Sequence, residues 1–355
     1  MSGFFNGNIS GITRFQIAGF DRGLPMGGLS DFDEKIKAGA FCSFFPENAE
    51  KNVGFVSIDD CLDSNLTPEN TMLGAYRVFS LRVDRRTVAA SSLKIRTLEE
   101  TKKHLQKTGK RRLLRIEREE IRDCARAELL KNTPPVTAIC DVLVHTGTGL
   151  VYVASLINNM LQEVQDAFRR VFRLTLQLHE PISHQSLDKT GLSPSSFGRE
   201  FMTWLWFKSQ QEETIAINGS ASTVVFTRRI VLASGEGDYA ETVVCSGIHA
   251  DLKEAKEALR QGKKVKEARI KIYREEMTWE LGCRGDSFQF QAVKLPPAAG
   301  TEEEETRRGM NLERLFLMMR LIGTMDLLLE KFFELRVSPA WPDEFSAMHA
   351  WASET

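Results

Sequence analysis

The 355-residue chain is 42% hydrophobic and 27% charged, with 47 Lys/Arg against 48 Asp/Glu and a formal net charge of −1. That balance is ordinary for a globular protein long enough to bury a sizeable core, and it excludes a protein that is basic throughout. Cys42, Cys61, Cys124, Cys140, Cys245 and Cys283 are scattered without a CxxC pair and no export leader is visible, so free thiols in a reducing cytoplasm are expected.

In chain order, TRFQIAGF (13–20) and YRVFSLRV (76–83) alternate as strands do, and SDFDEKIKAGAF (30–41) reads as a capped helix. Residues 97–131 are helical and strongly charged, broken at Gly109 and closed by Thr133-Pro134-Pro135. VTAICDVLVHTGTGLVYVAS (136–155) predicts a hairpin turning at Thr146-Gly147-Thr148-Gly149, where glycine accepts the positive φ of the turn. LINNMLQEVQDAFRRVF (156–172) has helical spacing and LTLQLHE (174–180) returns to a strand, giving a β-β-α-β unit.

REFMTWLWFKS (199–209) predicts a helix, with Phe201, Trp204, Trp206 and Phe207 read as core. Strands follow at 222–234 and 240–248, then a short helix at 251–262 that starts at Asp251 and ends on Gly262. Three more strands are read at 265–274, 277–283 and 287–293. PPAAGTEEEETRRG (296–309) is a linker, and LERLFLMMRLIGTMDLLLEKFFEL (312–335) carries too many charges for a bilayer span, so it is a core or interface helix.

The organisation expected is an N-terminal α/β region (1–95), a basic helical arm (96–135), a β-rich region (136–295), the linker (296–310), and a C-terminal helix and tail (311–355). The fold class is α+β, mostly antiparallel sheet with packed helices.

Charge is segregated along this frame. Residues 102–118 hold eight Lys/Arg against one Glu, and residues 253–274 hold nine against three, so the remainder of the chain is acidic. If 265–274 is a regular strand, Ala268, Ile270 and Ile272 face the core, and Arg269, Lys271 and Tyr273 face outward with Val265 and Glu267. Two such runs, one helical and one on a sheet, point to a phosphate-binding surface. No zinc-finger, basic-zipper or RNP-type motif is present, so binding is expected to follow the backbone rather than the bases.

Catalytic signatures are sparse. His179 and His184 are five apart with Pro181 between them, which breaks the helical zinc-protease spacing. No Walker A or GxSxG sequence occurs, and no cofactor is expected. Asp59, Asp60 and Asp63 in SIDDCLD are the candidates for a metal-dependent nuclease, the alternative to a pure binding protein.

The order of segments resembles the RdgC family of bacterial recombination-associated proteins. The similarity rests on the lysine-rich helix before a hairpin, the hairpin with its helix, the TW-containing segment and the helix ending in Gly262 before VKEARIKIYRE. It is greatest to a longer subgroup carrying GFVSIDDCLD and EFMTWLWF. The resemblance implies an elongated, curved protomer that forms a ring-shaped homodimer around double-stranded DNA. It further implies binding without sequence preference, restraint of RecA-driven strand exchange, and a nucleoid location with no membrane contact. The family has also been labelled an exonuclease. The positions matching its basic segments are Lys110, Arg111, Arg112, Arg115 and Arg118, and Lys263, Lys264, Lys266, Arg269 and Lys271.

Overall fold

A computed structural model describes residues 3–20, 28–46, 49–211, 214–235, 241–247, 253–297 and 307–353. The chain begins with β1 (Ile9–Ile17), α1 (Gly28–Ala38), β2 (Lys51–Val56), α2 (Pro68–Thr71), β3 (Met72–Leu73) and β4 (Tyr76–Arg85). Two long helices, α3 (Ala90–Thr108) and α4 (Arg115–Asn132), precede the hairpin of β5 (Val136–His145) and β6 (Leu150–Val153). Next come α5 (Asn158–Ala167) with a π-helical turn at Phe168–Phe172, β7 (Leu176–Leu178), α6 (His184–Leu187) and α7 (Pro194–Gln210). β8 (Ile215–Ile217), β9 (Ser220–Ser234), β10 (Glu241–Ser246), α8 (Lys253–Arg260), β11 (Lys264–Arg274), β12 (Met277–Arg284) and β13 (Gln289–Lys294) follow. The long α9 (Arg307–Arg336) and α10 (Trp341–Ser353) close the described chain.

Among the described residues, thirteen strands form one sheet in the order β10-β9-β11-β12-β13-β1-β6-β5-β4-β2, with β3, β7 and β8 paired off that path. The named pairs are all antiparallel, so the fold is α+β as the segment pattern predicts. β1 is the splice. Its residues 9–12 pair with β13, and its residues 13–16 pair with β6. The boundaries placed at 95 and 135 therefore do not divide the sheet: strands from before 95 and after 136 are interleaved in it.

Alternation along each strand decides which helix covers which face. Phe79 packs on Phe168 and Phe172, and Arg77 pairs with Asp33, so α1, α5 and the π-helical turn cover one face of β2, β4, β5 and β6. The other face meets α9 through Arg14 and Asp326. That helix continues under β11 and β12, where Trp279 Nε1 donates to Leu317 O and Arg274 donates to Thr324 Oγ1. α7 joins it there, with the Trp206 ring tilted against Phe226 at 6.3 Å between centroids. The opposite face of β9 and β11–β13 carries half-buried and exposed side chains, among them Arg269, Lys271, Tyr273, Glu280 and Val225. This open face is the second candidate surface.

The aromatic block is core, as predicted: Phe201, Trp204, Trp206 and Phe207 are all buried. α7 reaches the sheet closely because Gly198 lies against Gly285 in the β12–β13 turn, where an added Cβ would come within 2.0 Å of the Gly285 carbonyl oxygen. Backbone cannot move aside as a side chain can, so Gly198→Ala is expected to cost about 3 kcal/mol, the upper part of the overpacking range. Thermal unfolding of that variant checks it; an unchanged midpoint would show that the helix shifts freely.

Two readings are corrected. β11 has register shifts between Val265 and Glu267 and between Ala268 and Arg269, so Val265 is buried in the core and does not share the outward face with Glu267. Residues 341–353, read as a tail, form α10, which buries Met348, Trp351 and Ala352. Asp251 and residues 298–306 of the linker lie outside the described residues.

Candidate nucleic-acid interface

α3 and α4 form an antiparallel helical hairpin leading out of β4 and back into β5. At about 1.5 Å per residue each helix is roughly 28 Å long. α3 buries none of its residues and α4 only Ala125 and Leu130, so side-chain pairing holds the two together. Arg96 on α3 grips Glu128 on α4 at 2.7 and 2.8 Å. Near the root, Arg126 meets Glu50, while Lys51 and Arg85 share Glu163.

The tip follows from local chemistry. Gly109 ends α3 in the left-handed region at φ 66°, where a side chain would be strained. Leu113 is buried and anchors the loop. Glu117, in the first turn of α4, accepts from the Leu114 N–H at 2.9 Å and from Lys110. The Lys110 ammonium and that amide hold its carboxyl below the ordinary range. Arg115 reaches Glu119 at 3.1 Å. Arg111, Arg112 and Arg118 are exposed and make no hydrogen bond or ion pair among the described residues. Residues 107–118 thus display six Lys/Arg against one Glu.

The second basic segment is different. Lys263 is buried and donates to Glu241 at 2.9 Å. Lys264 donates to Glu200 at 2.8 Å, a carboxylate that Arg336 also holds at 2.8 Å. Lys266 lies 3.7 Å from Asp286, which is itself clamped by Arg199. Arg269 donates to Glu280 at 2.7 Å. Lys271 alone of these five makes no hydrogen bond or ion pair among the described residues. Four of the five cations nominated on this segment therefore have a carboxylate partner, and the Lys263 side chain is itself buried.

The two segments are not adjacent. Five strand spacings of about 4.8 Å, roughly 24 Å, separate β11 from β5 at the hairpin's root. No family model matches this chain, and a search of the curated proteins finds no match.

The carboxylates of SIDDCLD turn to separate tasks. Asp59 accepts from Arg307 and Asn311, Asp60 from the Leu62 N–H, and Asp63 from the Asn65 N–H. The last two are turn-forming contacts. Among the described residues no three His, Cys, Asp or Glu side chains are placed to hold a metal ion. Burial pushes the half-buried His179 down to about 4, and His184 pairs with Glu180 at 2.9 Å. No described helix is long and apolar enough to cross a membrane.

Sequence counting missed Glu280 and Lys294, which share the open face with Arg269 and Lys271. Register alone brings them there: Glu280 lies opposite Lys271 on β11 and opposite Lys294 on β13. A strand-by-strand parity count marks their outward faces but not their pairing.

Proposed function

We propose that this protein binds double-stranded DNA by its sugar-phosphate backbone, without base selectivity and without catalysis. The hairpin tip is the principal contact and the open face of β11–β13 a weaker one. The observation that carries the reading is the set of exposed guanidinium groups of Arg111, Arg112 and Arg118, which no protein carboxylate opposes among the described residues. Guanidinium forks suit phosphate oxygens and release the counterions condensed on a duplex whatever its sequence.

An elongated protomer closing into a homodimeric ring on DNA, in the nucleoid and in restraint of RecA-driven strand exchange, is the biological form of this proposal. Its support is the order of segments that resembles the RdgC family.

Fluorescence anisotropy with two unrelated labelled duplexes between 50 and 200 mM salt tests the reading. Four of the nominated cations, Arg111, Arg112, Arg118 and Lys271, lack a partner among the described residues and predict a slope of log K against log salt of about −3.6 per bound chain, the same for both duplexes. No binding at 50 mM, or tight binding to one duplex alone, would overturn it. Labelled DNA recovered shortened after incubation with Mg²⁺ would instead favour the nuclease alternative.

A further inference from the structure

Glu280 stands between two cations on the open face. Its Oε1 accepts from Arg269 Nε at 2.7 Å and its Oε2 from Lys294 Nζ at 3.2 Å. Lys271 lies directly opposite on β11 and makes no hydrogen bond or ion pair among the described residues. The Glu280 side chain is 14% exposed, so it is held within the cluster and does not wave in solvent. Burial acts to raise its pKa, but hydrogen bonds from Arg269 and Lys294 outweigh this and hold the carboxyl below its ordinary value.

One planar fork and one ammonium group converging on a single point suit a phosphate group. Here a carboxylate already fills that point. We propose that Glu280 occupies the seat of a DNA backbone phosphate, making the open face a self-blocked anion site. The inference rests on the DNA-binding reading above. A phosphate reaching Arg269 must displace the carboxylate or lie against it, and two anions sharing one guanidinium repel.

The test compares duplex binding by the wild type, Glu280→Gln and Glu280→Thr. Gln keeps the shape and one acceptor but loses the charge; Thr suits a strand and guards against a folding defect peculiar to Gln. At 0.1 M salt one released phosphate contact is worth a little under tenfold, so each variant is expected to bind about eightfold tighter, with a salt slope steeper by about 0.9. Adding Arg269→Ala to Glu280→Gln is expected to return affinity to the wild-type level.

Glu330→Gln makes the same charge change at an exposed position of α9, the helix on the covered face, and is expected to stay within twofold of wild type. If Glu330→Gln tightens binding as much as Glu280→Gln, a general field effect replaces the seat. Wild-type affinity in both Glu280 variants overturns the inference and leaves DNA binding standing. Absence of binding by every protein, wild type included, removes both.

Discussion

Asp326→Ala is expected to destabilise the protein by roughly 3–5 kcal/mol, the cost of leaving a buried charge without its partner. Arg14 lies on β1, the strand that splices the two halves of the sheet, and its side chain is 2% exposed. Its guanidinium hydrogen bonds run from Nη1 to both oxygens of Asp326, at 2.9 and 2.7 Å, while Nε and Nη2 have no partner among the described residues. Phe290 beneath the guanidinium supplies cation–π contact but no acceptor. Asp326 is partly exposed, so water can enter the vacated space, which places the expected loss near the lower end of that range. Asp326→Asn, which keeps an acceptor, should cost less. Arg14→Met combined with Asp326→Ala should recover most of the stability, since an apolar pair of similar volume replaces a desolvated one. Urea denaturation of the three proteins measures the series. A midpoint for Asp326→Ala equal to wild type would show that Arg14 is solvated by another route.

Local chemistry was legible where it decides the structure by itself. The hairpin between β5 and β6, the break at Gly109 and the ends of β11 and β12 all follow from alternation, helical period and glycine turns, and the structure places them within a few residues. α10 was legible too: Met348, Trp351 and Ala352 sit at helical spacing after Pro342, and reading the segment as a tail overlooked it. What the sequence hides is partnership at a distance. Nothing near Lys264 announces Glu200, 64 residues earlier in the chain, nor does Lys263 announce Glu241 across 22 residues. A count of cations along 253–274 therefore measures composition, while the charge free to meet a phosphate depends on which strands lie side by side. The bulge that turns Val265 inward has the same origin. It is imposed by pairing with β9 and leaves the strand's own alternation unbroken on paper.

The hairpin tip escapes that limitation because its ion pairs, Lys110 with Glu117 and Arg115 with Glu119, are local, so its charge can be converted into an expected loss. Arg111→Glu, Arg112→Glu and Arg118→Glu together remove three phosphate contacts. At 0.1 M salt each contact contributes about 0.9 decade of counterion release, so duplex affinity should fall at least about 500-fold and the salt slope should flatten by about 2.7. Stability should stay within about 0.5 kcal/mol, since all three side chains are exposed and give up no protein partner among the described residues. Lys263→Glu is a poor probe by comparison. It buries a carboxylate beside the exposed Glu241 and unsettles the sheet edge, so lost binding in that variant would report misfolding as readily as lost contact. Lys110 and Arg115 are ambiguous for a related reason, because charge reversal there also repels Glu117 and Glu119. A triple variant that unfolds at the wild-type denaturant concentration and yet keeps wild-type affinity and slope would transfer the whole of the binding to some other surface. The same variant with a flattened slope and full stability would tie the phosphate contacts to one loop of the chain, Gly109 to Leu114, and the first turn of the helix that follows it.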